Sequence, residues 1–406
     1  MIGGDRSRHD PQVARAGAGA EMRIVGMEMR GSVAGAPEAR GASSGALPGL
    51  QVARGLAALA VTVHHALETS NGVPGSFSPD WLTTAGAAGV DVFFVISGFI
   101  MVHTSLRPGR PLNRPAPSAA GFLWRRAVRI YPLYWMACLA MLSLMGLGFF
   151  HGRVLSAVDI VTGLALVPGG HPIIGVAWTL VYEVYFYLVF AACLTSRSRK
   201  VTTLATGGGI LLLLMLAQAL PESAVQRFLS DPIPLEFVMG MTLAWVYPTI
   251  KARLGARSAA ILVSFGLALM HGAPMFVPHD NTHGLDGFAR VATWGTAGLA
   301  IVAGLLLLPS THNPIARWLV SLGNASYSLY LTHFFVLMGY ALALRDDALA
   351  RLPQYWLVPP VVLVACLIGG VTHLMVERPL LQGGQRLTLR TRTPPKIRSG
   401  NDKALA

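Results

Sequence analysis

Apolar residues fill this chain in runs of about twenty, and each run ends at a basic or Pro/Gly-rich break. Ten such runs stand out, at 50–70, 85–105, 130–150, 173–195, 201–220, 232–249, 258–278, 288–308, 319–343 and 355–376. At 1.5 Å per residue, a helical run of that length covers the roughly 30 Å of a bilayer's hydrocarbon. The pattern predicts an all-α fold, a polytopic transmembrane helical bundle of about ten spans. One further apolar stretch, Val154–Val167, is too short to cross, contains Asp159 and ends at Pro168-Gly169-Gly170. It is expected as an interfacial or re-entrant segment. No repeat relates one half of the sequence to the other, so the paired broken helices that mark many transporters are missing. Residues 1–48 are rich in Gly, Ala and Arg without a hydrophobic period, and 381–406 are basic. Both are expected as disordered cytosolic tails around a membrane domain over 49–380.

Composition agrees: 53% of the 406 residues are hydrophobic and 13% charged, more apolar than a soluble domain needs. The net charge of +13 lies between the apolar runs. With the N-terminus inside, that side receives the basic N-terminal tail, Arg107–Arg129, Arg197, Arg199, Lys200, Lys251, Arg253, Arg257, Arg317 and Arg378–Arg398. The other receives only Arg153, Arg227, Arg290, Arg345 and Arg351. The positive-inside rule then puts both termini in the cytosol, for a multi-pass protein of the cytoplasmic (inner) membrane surrounded by membrane lipid. Aromatic residues are not interleaved with the basic ones, which argues against a nucleic-acid partner. Cys138, Cys193 and Cys366 lie inside apolar runs without metal-type spacing and read as packing residues.

Polar groups inside such runs are expensive and mark candidate chemistry. In the first run, LQVARGLAALAVTVHHALE, the eleven steps from Arg54 to His65 make three turns plus ~20°. The two side chains therefore share a face, ~16 Å apart along the axis, while His64 points ~100° away. Asp91, at matching depth in the second run, is a candidate to orient the His65 ring or to pair with another buried group. Arg125, Arg126 and Arg129 cluster where the third run leaves the cytosol, beside Tyr131 and Tyr134, and suit either a topology anchor or a phosphate-bearing ligand. In the run AWTLVYEVYFYL, Glu183 is flanked by Trp178 and Tyr187 and needs a partner from another helix, with Arg54 or Arg129 as candidates. Ser326, Tyr330 and His333 form one polar stripe in the ninth run. Glu377-Arg378 at the end of the tenth reads as an interfacial ion pair. The histidines do not meet carboxylates at ligand spacing, so no metal is expected.

Taken together, these residues resemble membrane-bound acyltransferase family 3, whose members O-acylate exopolysaccharide, lipopolysaccharide and related glycans. The likeness runs from about Leu50 to Pro379. It rests on Arg54 and His65, the DVFFVISGF run from Asp91, RRAVRIYPLYW, AWTLVYEVYFYL, SYSLYLTH from Ser326 and ERP at Glu377, in that order. It implies that Arg54 and His65 are the essential pair, that the donor is cytosolic acyl-CoA (acetyl-CoA as the expected form), and that a glycan or lipid-linked saccharide is the acceptor. The His64-His65 doublet and the lack of a fused outer hydrolase-type domain are departures. On this reading Arg54, Arg125, Arg126 and Arg129 hold the donor, and His65 is base or acyl relay, supported by Asp91 or Glu183. Trp178, Tyr187, Ser326, Tyr330 and His333 contact substrate. The rival reading is an exporter of a glycan or lipid-linked intermediate that uses the same intramembrane His, Asp and Glu residues as a proton relay.

Overall fold

The computed structural model describes residues 47–71, 78–106, 118–149, 154–170, 172–194, 198–279, 284–309 and 313–390. The tail expected over 1–48 lies outside them apart from its last two positions. Each of the ten apolar runs falls on a helix. In chain order the helices used below are α1 (Pro48–Asn71), α2 (Gly89–Ser105), α3 (Ala119–Gly146) and the short α4 (Ala157–Ala165). They continue with α5 (Trp178–Cys193), α6 (Arg199–Ala217), α7 (Leu235–Arg253), α8 (Ala256–Phe276) and α9 (Thr296–Leu307). The last four are α10 (Pro314–Asn324), α11 (Ser326–Ala343), α12 (Gln354–Thr372) and α13 (Arg378–Arg390).

Among the described residues, eight helices are long and apolar enough to cross a membrane. Neither α1 nor α11 is among the eight. These are the helices that carry Arg54, His64 and His65, and Ser326, Tyr330 and His333, so the polar residues of interest lower their apolar character. Three boundaries differ from expectation. α3 starts at Ala119, so the basic segment Arg125–Arg129 is the first part of the helix and Pro132 sits within it. The ninth run breaks at Ala325 into α10 and α11. The tenth passes through a π turn over His373–Glu377 into α13, so residues 381–390, expected as tail, are helical.

The run Val154–Val167 folds as α4, opened by a capping box in which Ser156 and Asp159 satisfy each other's backbone N–H groups. Its last carbonyls would be orphaned in an apolar environment. Side chains from the middle of α3 take them: Tyr134 donates to Gly163 O (2.7 Å), Trp135 to Leu164 O (3.0 Å) and Tyr131 to Ala165 O (3.1 Å). Tyr131 and Tyr134, expected near a phosphate, are thus spent on holding α4.

Tight helix crossings depend on glycine. A Cβ at Gly98 of α2 would lie 2.0 Å from the Phe237 carbonyl oxygen, and one at Gly240 of α7 would lie 1.9 Å from that of Val95. The two backbones touch where each helix lacks a side chain, the small-residue packing that stands in for hydrophobic drive in lipid. Gly98→Val and Gly240→Val should therefore lower the thermal midpoint in detergent sharply, by more than the ~1–3 kcal/mol of ordinary overpacking. Gly208→Ala, where a Cβ meets nothing within 4 Å, should be tolerated; equal losses at all three would contradict the packing argument.

Candidate functional site

Two cavities open along one side of α1. The first holds Arg54, which is 8% exposed and donates from Nη2 to Ser326 Oγ at 2.7 Å. Arg126 and Arg129 of α3 line the same space, with Ser97 of α2 and Glu183 and Tyr187 of α5. Glu183 Oε1 accepts hydrogen bonds from Tyr187 and from Ser97 Oγ, the latter at 3.2 Å. The Arg126 guanidinium lies over the Phe122 and Tyr187 rings, 5.4 and 5.7 Å from their centroids. Three guanidiniums against one carboxylate leave the space positive, with forks suited to phosphate oxygens. The enclosed part of this space is narrow, about 80 Å³, beneath an open mouth.

The second cavity holds His65 and Glu68, with Gly175, Val176, Phe334 and Met338. His65 Nδ1 is 2.9 Å from Glu68 Oε2. A carboxylate can only accept, so Nδ1 carries the proton and Nε2 keeps the lone pair. The His65 ring stacks on His333 of α11 (centroids 5.6 Å, planes 25° apart). Next to it His64 is buried and donates from Nδ1 to the Thr83 carbonyl at 2.6 Å. The ligand atoms of His64, His65 and Glu68 lie within 4.8 Å of one another. That convergence of two histidines with a carboxylate was not expected from the sequence; in this structure the Glu68 carboxylate serves as acceptor for the His65 N–H.

Arg54 meets Ser326 and His65 meets His333, so both helices ascend in the same order and α1 and α11 run side by side in parallel. The shared face expected of Arg54 and His65 is the face that α11 covers.

Comparison with known proteins is decisive on family. The profile described as an acyltransferase domain, Acyl_transf_3, matches residues 47–375, most of the chain. The chain belongs to this acyltransferase family. The Rhizobium meliloti exopolysaccharide production protein ExoZ is 33% identical over 315 residues, covering 74% of this chain and 92% of its own length. The acyltransferase MdmB of Streptomyces mycarofaciens is 26% identical over 388 residues, covering 83% of this chain and 92% of its own. A putative membrane-bound transacylase, BcsY of Komagataeibacter xylinus, is 26% identical over 290 residues, covering 64% of this chain and 68% of its own. No solved structure matches the chain. The protein is a non-aminoacyl acyltransferase with the helical build of a multi-pass membrane protein, and the exporter reading falls with that assignment.

Several expected contacts in this acyltransferase are replaced by others. Asp91 does not orient His65: it is fully buried in a bidentate pair with Arg290, at 2.9 Å for both bonds. Trp178 lies outside the Arg54 cavity and stacks on the same Arg290, 5.7 Å from the ring centroid. Arg125 is exposed and does not line the cavity, unlike Arg126 and Arg129. Glu183 shares the cavity with Arg54 and Arg129 but takes its hydrogen bonds from Ser97 and Tyr187. Glu377 pairs with Ser328 (2.7 Å) and His373 (2.8 Å) in place of Arg378. Tyr187, Ser326 and Tyr330 do line the Arg54 cavity, and His333 lies beside His65. Glu68, the group that fixes His65, sits three residues on, at a helical spacing that already placed it on the same face. Arg290 could not have been paired with Asp91 from spacing alone, because 199 residues separate them.

The Asp91–Arg290 pair accordingly ties α2 to the segment before α9. Removing one partner of a buried pair strands a charge, at a cost of about 3–5 kcal/mol. Asp91→Ala should lower the thermal midpoint in detergent and the abundance in membranes, and adding Arg290→Ala should recover part of the loss. A stable Asp91→Ala protein that fails only in turnover would place Asp91 in the chemistry instead.

Proposed function

We propose that this acyltransferase moves an acyl group, acetyl as the expected one, from acyl-CoA to a hydroxyl of a cell-surface glycan or its lipid-linked precursor. The reading is ten crossings with both termini in the cytosol: α1, α2, α3, α5, α6, α7, α8, α9, α11 and α12 cross, and α4 re-enters. The observation that carries it is the arrangement on α1, where a guanidinium and an imidazole share one face and each opens into its own cavity. The relatives support the substrate class, ExoZ being an exopolysaccharide production protein.

Acyl-CoA carries phosphates at one end and a thioester at the other. Arg126 and Arg129, nearer the basic end of α3, take phosphate oxygens, and Arg54 holds the donor deeper, toward the thioester. The ~16 Å between Arg54 and His65 matches a donor laid along the helix with its reactive end innermost. A thioester is already activated, so the protein needs chiefly a base and a stabilised oxyanion. The acceptor hydroxyl gives its proton to His65 Nε2 as its oxygen attacks the thioester carbonyl. The C–S bond then breaks, the sulfur leaves as thiolate and takes up a proton, and an oxygen ester remains. His65 can instead take the acyl group on Nε2 and hand it to the acceptor in a second step. Glu68 keeps the proton on Nδ1 in either case. None of these steps calls for a metal.

Purified protein supplied with labelled acetyl-CoA and surface glycan tests the reading: ester formation on the glycan is expected. His65→Ala should remove it with membrane abundance intact, a loss on the order of 10²–10⁴-fold for a general base. Glu68→Ala should lower kcat more than it raises KM for the donor. Arg54→Lys should raise that KM, because a point charge replaces a fork. Undiminished transfer in His65→Ala would contradict the assignment.

A further inference from the structure

The two cavities abut at one contact. Tyr330 lines the Arg54 cavity, and its hydroxyl donates to the carbonyl oxygen of Val176, which lines the His65 cavity. A phenol has one proton, so the Thr179 hydroxyl, 2.6 Å away, must be the donor to the Tyr330 oxygen. Thr179 also lines the Arg54 cavity. Behind Tyr330, one turn along α11, His333 is fully buried between the cavities, its ring 6.1 Å from that of Tyr330 and 5.6 Å from that of His65. His333 Nδ1 donates to the Leu329 carbonyl at 3.1 Å, which leaves a lone pair on Nε2. That Nε2 is buried with no hydrogen-bond partner among the described residues.

Separation has a physical purpose. A water-filled passage joining the two cavities would let water reach the bound thioester and hydrolyse it. Yet the base lies on one side and the arginine-held donor on the other, so the acyl carbon must reach across. At the Tyr330–Val176 contact a residue lining one cavity bonds directly to a residue lining the other. Turning that ring would break two hydrogen bonds.

We propose that Tyr330, locked by Val176 and Thr179, is the partition between the donor and acceptor cavities and the residue that restricts the transferred group to a short acyl chain. Tyr330 is in this sense a positioning and specificity residue. The inference rests on the acyl-transfer reading above, while the partition itself can be tested without turnover.

The test uses the full-length protein with Cys138, Cys193 and Cys366 replaced by alanine and a single cysteine introduced at Met338, which lines the His65 cavity. In vesicles of defined orientation, a membrane-impermeant methanethiosulfonate should label this cysteine from the non-cytosolic side alone. Adding Tyr330→Ala should allow labelling from the cytosolic side as well. In turnover, Tyr330→Ala should raise the butyryl-to-acetyl ratio of kcat/KM by about tenfold or more, the scale set by added methylenes in an apolar pocket. Tyr330→Phe keeps the ring and drops both hydrogen bonds; it should raise acetyl-CoA hydrolysis in the absence of acceptor several-fold while retaining acetyl preference. One-sided labelling in Tyr330→Ala, or unchanged hydrolysis in a well-expressed Tyr330→Phe, would overturn the proposal. A parent protein with no acyl-CoA turnover would overturn the acyl-transfer reading, and the labelling pattern would still judge the partition.

Discussion

A charged side chain placed in an apolar bundle must find a partner, and that constraint organises this molecule. The buried contact between Arg54 and Ser326 fixes α11 against α1 at one level, and the stacking of His65 on His333 fixes it again further up. Two contacts in the same order force the helices to run parallel, which requires an even number of crossings between their starts. The parallel pair also faces both cavities onto one helix seam. Had Arg54 turned outward to water, Ser326 would lose the hydrogen bond that ties it to α1.

The remaining intramembrane charges divide into two kinds. Asp91 and Arg290 pair through two guanidinium bonds at 2.9 Å, with two tryptophan faces against the cation, a further bond from Arg290 to the Leu285 carbonyl, and the fully buried Glu236 beside them. None of these three groups lines either cavity. Arg126, Arg129 and Glu183 instead border empty space, and Glu183 is held by neutral hydroxyls. A carboxylate so held keeps capacity for a further ligand. This difference between satisfied and open polar groups separates scaffold from site more clearly than charge alone, because every one of these residues looks equally costly in the sequence.

What the sequence could reveal follows the range of the interactions. Helix positions came from hydrophobic runs, and the shared face of Arg54 and His65 came from helical geometry, which needs only the residues between them. The stripe Ser326, Tyr330 and His333 was legible for the same reason. Pairings across helices were not. Matching depth sets Asp91 against His65, whereas the structure pairs it with an arginine far along the chain. Position along the chain groups Tyr131 and Tyr134 with the nearby arginines, whereas their hydroxyls close the end of α4. The break at Ala325 and the π turn at His373 left no mark in a pattern read at a single helical period. Glu68 was within reach of the same geometry that linked Arg54 with His65, three residues from the ring it holds.

On the acyl-transfer reading, a donor lies along α1 between its cytosolic end and the tyrosine partition. The most direct measurement is an experimental structure of the protein with a non-hydrolysable acetyl-CoA thioether. Phosphate density beside Arg126 and Arg129, with the thioether carbon near Arg54 and Tyr330, is the predicted result. Density for the analogue outside the Arg54 cavity, or entering from the side of Glu68, would contradict the account.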